Sequence, residues 1–119
     1  VLCKKGVTVR FAPRGEDGRL DLLDAMEQLA DLGINEVLLE AGAELAGGFL
    51  QAGLVDEIVV YMAPKLLGSS ARPLFTLPLE TMSEAVELTL TSVSQVGQDV
   101  RLVYLPSYLD EDSEEDDDE

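Results

Sequence analysis

The chain has 119 residues, enough for one small domain, and an apolar fraction of 46% that suits a packed core. Its 24 acids against eight bases give a net charge of −16, a sign that disfavours nucleic acid as a partner, since phosphate neutralisation needs clustered Lys and Arg. One cysteine excludes an internal disulfide, the absence of histidine argues against a metal site or a triad-type hydrolase, and no apolar run is long enough for a membrane span.

The charge is unevenly placed. Residues 110–119 hold nine of the acids and no base, and removing them leaves a body of net charge −7. Nine carboxylates with nothing apolar to bury are expected to form a disordered acidic tail, read as solubilising, behind a folded body over residues 1–109. No secretory signal is visible, and the opening Val1-Leu2-Cys3, without a methionine, suggests a processed product or an excised piece.

In chain order, Val7-Thr8-Val9-Arg10-Phe11 alternates and is β-branched, which predicts a strand. Pro13, Gly15 and Gly18 then predict a turn. From Leu20 to Leu32, apolar residues at 22, 23, 26, 29, 30 and 32 have helical spacing, with Asp21 or Asp24 in the first turn and Gly33 as the cap. Glu36 to Glu40 is nearly continuous in apolar residues, the pattern of a central strand covered on both faces. Residues 43–52 predict a second helix with Leu45, Ala46, Phe49 and Leu50 inward and Gly53 at its end. Val55 to Ala63 is the strongest strand, stopped by Pro64, and Lys65 to Pro73 reads as an exposed loop. Strands at about 86–95 and 100–105 follow, joined through Gly97-Gln98-Asp99 as a hairpin. The order β-α-β-α-β, then an antiparallel β-hairpin, predicts an α/β fold with a mixed sheet.

Within this order, Glu40-Ala41-Gly42-Ala43-Glu44-Leu45-Ala46-Gly47-Gly48 carries the most chemistry. A strand ending in a carboxylate turns through glycine into a helix N-terminus. There the first N–H groups have no partner within the helix and the dipole is positive, the setting of phosphate-like ligands.

These residues also resemble a known family. Ile34 to Gly42, Leu45-Ala46-Gly47, Leu50 to Glu57 and Ala63-Pro64-Lys65-Leu66-Leu67-Gly68 are similar, in order and spacing, to the C-terminal reductase domain of the bacterial bifunctional riboflavin-biosynthesis deaminase–reductase. The likeness runs from about residue 7 to 105. It implies a dihydrofolate-reductase-like fold, NADPH as cofactor, a phosphoribosylaminopyrimidine as substrate, a homodimer and a cytoplasmic location. The implied reaction is hydride transfer to C1′ of the ribosylamino group, through a ring-opened imine, giving ribitylamino. Carried over by position, Gly42, Ala43, Glu44, Leu45, Ala46, Gly47 and Gly48 match the segment that binds the cofactor phosphates, and Glu40 matches a position that contacts substrate. Glu44 departs from the family pattern, where a neutral residue is usual.

The family's domain is longer by an N-terminal half, which opens with a strand around a Ser-Leu-Asp-Gly motif and bears most substrate contacts. The chain therefore reads as the C-terminal half of the domain, inactive by itself, with a sheet edge open to the missing half or to a second copy. Two alternatives stand beside an enzyme part. One is a non-catalytic assembly module of the same fold, and the other is a dihydrofolate-reductase-like reductase of another pterin or pyrimidine.

Plainer roles are open for each residue. The glycines at 42, 47 and 48 can serve close helix packing, and Glu40 can be an exposed acid at a strand end. Lys65 and Arg72 can attract a phosphate or simply lie in a solvated loop. Ser69 and Ser70 have no base partner, Cys3 lies outside the likeness, and Tyr61 and Met62 read as core or sheet-face residues. Asp21, Asp24, Glu27 and Asp31 read as the solvated face of the first helix.

Overall fold

The computed structural model describes residues 6–15, 18–79 and 84–108, so Cys3 and the acidic tail lie outside the described residues. The chain divides into two compact units, Val1–Leu39 and Glu40–Glu119.

In the first unit, α1 spans Leu22–Asp31. The Asp21 side chain accepts a hydrogen bond from the Asp24 N–H at 3.1 Å and so caps the helix start. Gln28 Nε2 donates to Asp24 Oδ1 and to the Phe11 carbonyl, both at 2.8 Å. At the far end, Gly33 has φ +87°, its N–H donates to Ala30, and the Ile34 N–H donates to Leu29. This paired arrangement satisfies carbonyls that the helix leaves open, and it needs the left-handed conformation that glycine adopts without strain. The turn around Gly15 and Gly18 is closed by a bridge between Arg14 and Leu20.

In the second unit, α2 spans Ala43–Gln51, with Gly42 at its N-cap. Its end repeats the design of α1: Gly53, at φ +71°, donates to Leu50, and Leu54 donates to Phe49. Leu50 and Gly47 are buried, Ala46 and Phe49 are half-buried, and Leu45 is exposed, contrary to its expected inward position. Leu45 lies off the covered face of the helix, which Ala43, Ala46, Gly47 and Leu50 share.

The sheet comprises β1 (Ile58–Met62), β2 (Leu88–Val96) and β3 (Asp99–Pro106) in the order β1-β3-β2, with both pairs antiparallel. The hairpin between β2 and β3 turns at Gly97-Gln98. Only Gly97 has positive φ, at +61°, which matches the two-residue turn that takes glycine first. Register shifts by one residue at Thr91, whose Oγ1 donates to the Val103 carbonyl at 3.1 Å. Ile58, Val60 and Met62 face the same side as Tyr104, Leu102 and Val100, their direct partners. Among the described residues, the side chains of Leu50, Ile58, Val103 and Pro106 are buried in this unit.

Two expected strands are absent. Neither 7–11 nor 36–40 forms a ladder among the described residues, and the sheet that is present is wholly antiparallel rather than mixed. Alternation and apolar runs report which faces want burial, whereas a strand exists only when a neighbour takes its N–H and C=O groups. No described segment does so for these two. Leu38 is accordingly 82% exposed where full cover on both faces was expected.

Candidate functional site

The candidate site is the run from Glu40 into the first turn of α2. Glu40, Ala41, Gly42, Glu44 and Leu45 are exposed, whereas Ala43, Ala46 and Gly48 are half-buried. Gly42 has φ −69° and ψ 172°, a conformation open to any residue, and a Cβ built on it would meet nothing within 4 Å. Neither backbone strain nor crowding accounts for a glycine there. What its missing side chain leaves is free access to the start of the helix.

That start carries no side-chain cap. The first bond of the helix runs from the Ala46 N–H to the Gly42 carbonyl at 3.1 Å, so the N–H groups of Ala43, Glu44 and Leu45 have no acceptor within the helix. This contrasts with α1, where Asp21 supplies a cap. Such an end, positive and uncapped, suits an anion. Glu44 sits in the first turn, where its charge complements the dipole while opposing any bound anion.

Gly47 stands apart from the other candidates. It is buried, and a Cβ there would lie 2.1 Å from the Thr76 carbonyl oxygen. Next to this contact the Thr76 N–H donates to the Ala43 carbonyl at 2.9 Å. The glycine thus allows close packing, the plainer of the two roles read from the sequence. Thr76 itself is missed by sequence reasoning, since it lies in a stretch without periodicity. The one available signal was a glycine in mid-helix, a position that usually marks a close approach.

Lys65 and Arg72 are both exposed. Lys65 stands at a groove of about 740 Å³ on the Ile58–Val60–Met62 face of the sheet, walled in part by Leu67, Leu74 and Phe75. Its lining is mainly apolar. Tyr61 and Met62, expected as core or sheet-face residues, lie on opposite faces of β1 and are both exposed. Among the described residues, no three His, Cys, Asp or Glu side chains gather as a metal site. No described helix is long and apolar enough to cross a membrane.

Residues 2–102 match the model of the RibD C-terminal domain. The chain belongs to the RibD C-terminal domain family. It is 54% identical over 86 residues to the riboflavin biosynthesis protein RibD of Escherichia coli K12, covering 71% of this chain and 23% of that protein. It is 31% identical over 103 residues to the 5-amino-6-(5-phosphoribosylamino)uracil reductase of Buchnera aphidicola subsp. Acyrthosiphon pisum, covering 86% and 50% respectively. Among solved structures, RibD of Acinetobacter baumannii superposes with a TM-score of 0.67 at 41% identity, over 74% of this chain and 25% of that one. The chain thus spans about a quarter of the length of RibD relatives and half of the uracil reductase. Its fold is the dihydrofolate-reductase-like fold of RibD, present in part. The family likeness read from the four sequence segments is therefore correct.

Proposed function

We propose that this chain is part of an NADPH-dependent reductase that converts 5-amino-6-(5-phosphoribosylamino)uracil to its ribitylamino product in riboflavin biosynthesis. The observation that carries the reading is the named reductase of Buchnera aphidicola, which aligns over 86% of this chain. The open start of α2 supports it physically. The N–H groups of Ala43, Glu44 and Leu45 suit a cofactor phosphate, and Gly42 leaves room for it beside the backbone. Glu40, exposed two residues before the cap, has a carboxylate suited to accept hydrogen bonds from sugar hydroxyls of the substrate. NADPH, when bound, supplies the hydride for C1′. A homodimer in the cytoplasm belongs to the same proposal.

A second reading has its own support. The sheet leaves much apolar surface uncovered, including Val93 at 58% and Tyr61 at 60% exposure, as suits a module whose task is assembly. Calorimetric titration with NADPH separates the two, using this chain beside a longer polypeptide that includes a whole reductase domain. Binding to both places phosphate recognition in the Gly42–Gly48 turn. Binding to the longer one alone makes this half a scaffold whose site forms on completion. Binding to neither favours the assembly module.

A further inference from the structure

Glycine in mid-helix is disfavoured, and Gly47 is explained by what lies against it. A Cβ there would stand 2.1 Å from the oxygen and 2.9 Å from the carbon of the Thr76 carbonyl, main-chain atoms that cannot swing aside as a side chain does. The Thr76 N–H meanwhile donates to the Ala43 carbonyl at 2.9 Å. Contact and hydrogen bond together seat the backbone at Thr76 on the first turn of α2.

The consequence follows from peptide geometry. The Ala43 carbonyl and the Glu44 N–H belong to one planar unit and point in opposite directions. Holding the carbonyl therefore holds the Glu44 N–H, which is directed toward the open N-terminal end. A donor on the carbonyl also polarises the unit and strengthens the N–H on its other side.

We propose that Thr76 is a positioning residue for the cofactor turn, and that Gly47 serves it. Through the Ala43–Glu44 peptide, the Thr76 N–H fixes and polarises a donor that meets a cofactor phosphate. Gly47 touches no ligand; it admits the strand of main chain that does the holding. The inference rests on the cofactor reading above, and its test separates the two.

The experiment titrates NADPH into the chain, or into the longer polypeptide if only that binds, and follows the Glu44 amide by ¹H–¹⁵N NMR. Gly47→Ala and Thr76→Pro are compared with Thr76→Val, which keeps the N–H. Without ligand, the first two are expected to move the Glu44 amide proton upfield, and both should bind NADPH about tenfold more weakly, the loss of one hydrogen bond's worth of affinity. Thr76→Val should match the unaltered protein in both respects. If Gly47→Ala fails to fold, the contrast of Thr76→Pro with Thr76→Val decides. NADPH binding that is equal in all variants overturns the positioning role while the cofactor reading stands. Equal weakening in Thr76→Val and Thr76→Pro also overturns it, by assigning the effect to the side chain. No response of the unaltered protein in either form sinks the cofactor reading and this inference together.

Discussion

Tyr108 fastens the end of the sheet to the connection between α2 and β1. Its hydroxyl accepts from the Val55 N–H at 2.8 Å and donates to the Val55 carbonyl, so one side chain satisfies both polar groups of one residue. Desolvation by burial raises the phenol above its ordinary value of 10.0; the Val55 hydrogen bond acts against the rise and the Asp56 carboxylate adds to it. A raised folded value means that the folded protein holds this proton more tightly than the unfolded chain. The contribution is complete below pH 10.0 and is lost as pH climbs through the folded value. Tyr108→Phe is expected to lower the unfolding free energy by about 1 kcal/mol at neutral pH. It should also flatten the decline in stability above pH 10.0, and urea unfolding across pH checks both. Nothing in the sequence marked this residue, because its partner lies 53 positions away. Glu44, by contrast, stands out in the sequence as an acid within the run proposed to bind phosphate. Glu44→Gln is expected to tighten NADPH binding by about two- to fivefold, the effect of one charge at a helix end, while slightly lowering helix stability. Opposite signs in calorimetry and in thermal unfolding would mark the charge as the cause.

At the scale of elements, local chemistry was readable wherever it closes on itself. Asp21 caps α1, Gly33 and Gly53 end the two helices with positive φ, and Gly97 turns the hairpin, all within a few residues of their partners. Asp21→Ala should cost about 1 kcal/mol, with α1 fraying first, as followed by circular dichroism during urea unfolding. Strands were readable only where a neighbour was near in sequence or strongly patterned. β2 and β3 meet through a two-residue turn, and β1 pairs with β3 through five successive residues, four of them β-branched or aromatic. The segments 7–11, alternating and β-branched, and 36–40, an apolar run between two glutamates, form no ladder among the described residues. Composition determines readiness to pair, and pairing itself is a long-range event.

For the whole molecule, the apolar face of the sheet is the feature with the widest consequence. Leu88, Leu90 and Val93 lie on one face of β2 and are 40%, 49% and 58% exposed, more apolar surface than an isolated sheet usually presents to water. The chain is expected to associate with concentration and to bind a hydrophobic dye, and Val93→Lys should reduce both in sedimentation and fluorescence measurements. The same surface is consistent with a chain that spans a quarter to a half of its relatives' length.

The sequence by itself determined the family, both helices with the glycines that end them, and the three strands that pair. Each of these depends on spacing within a few residues, or on a linear order of segments that a family shares. The tertiary structure decided three things that spacing cannot carry. It gave 7–11 and 36–40 no ladder among the described residues, it tied Tyr108 to Val55, and it brought the Thr76 backbone against Gly47. The physical reason is common to all three. A hydrogen bond or a close contact between distant residues is fixed by where the backbone arrives in space, and no local pattern of residue types records that arrival.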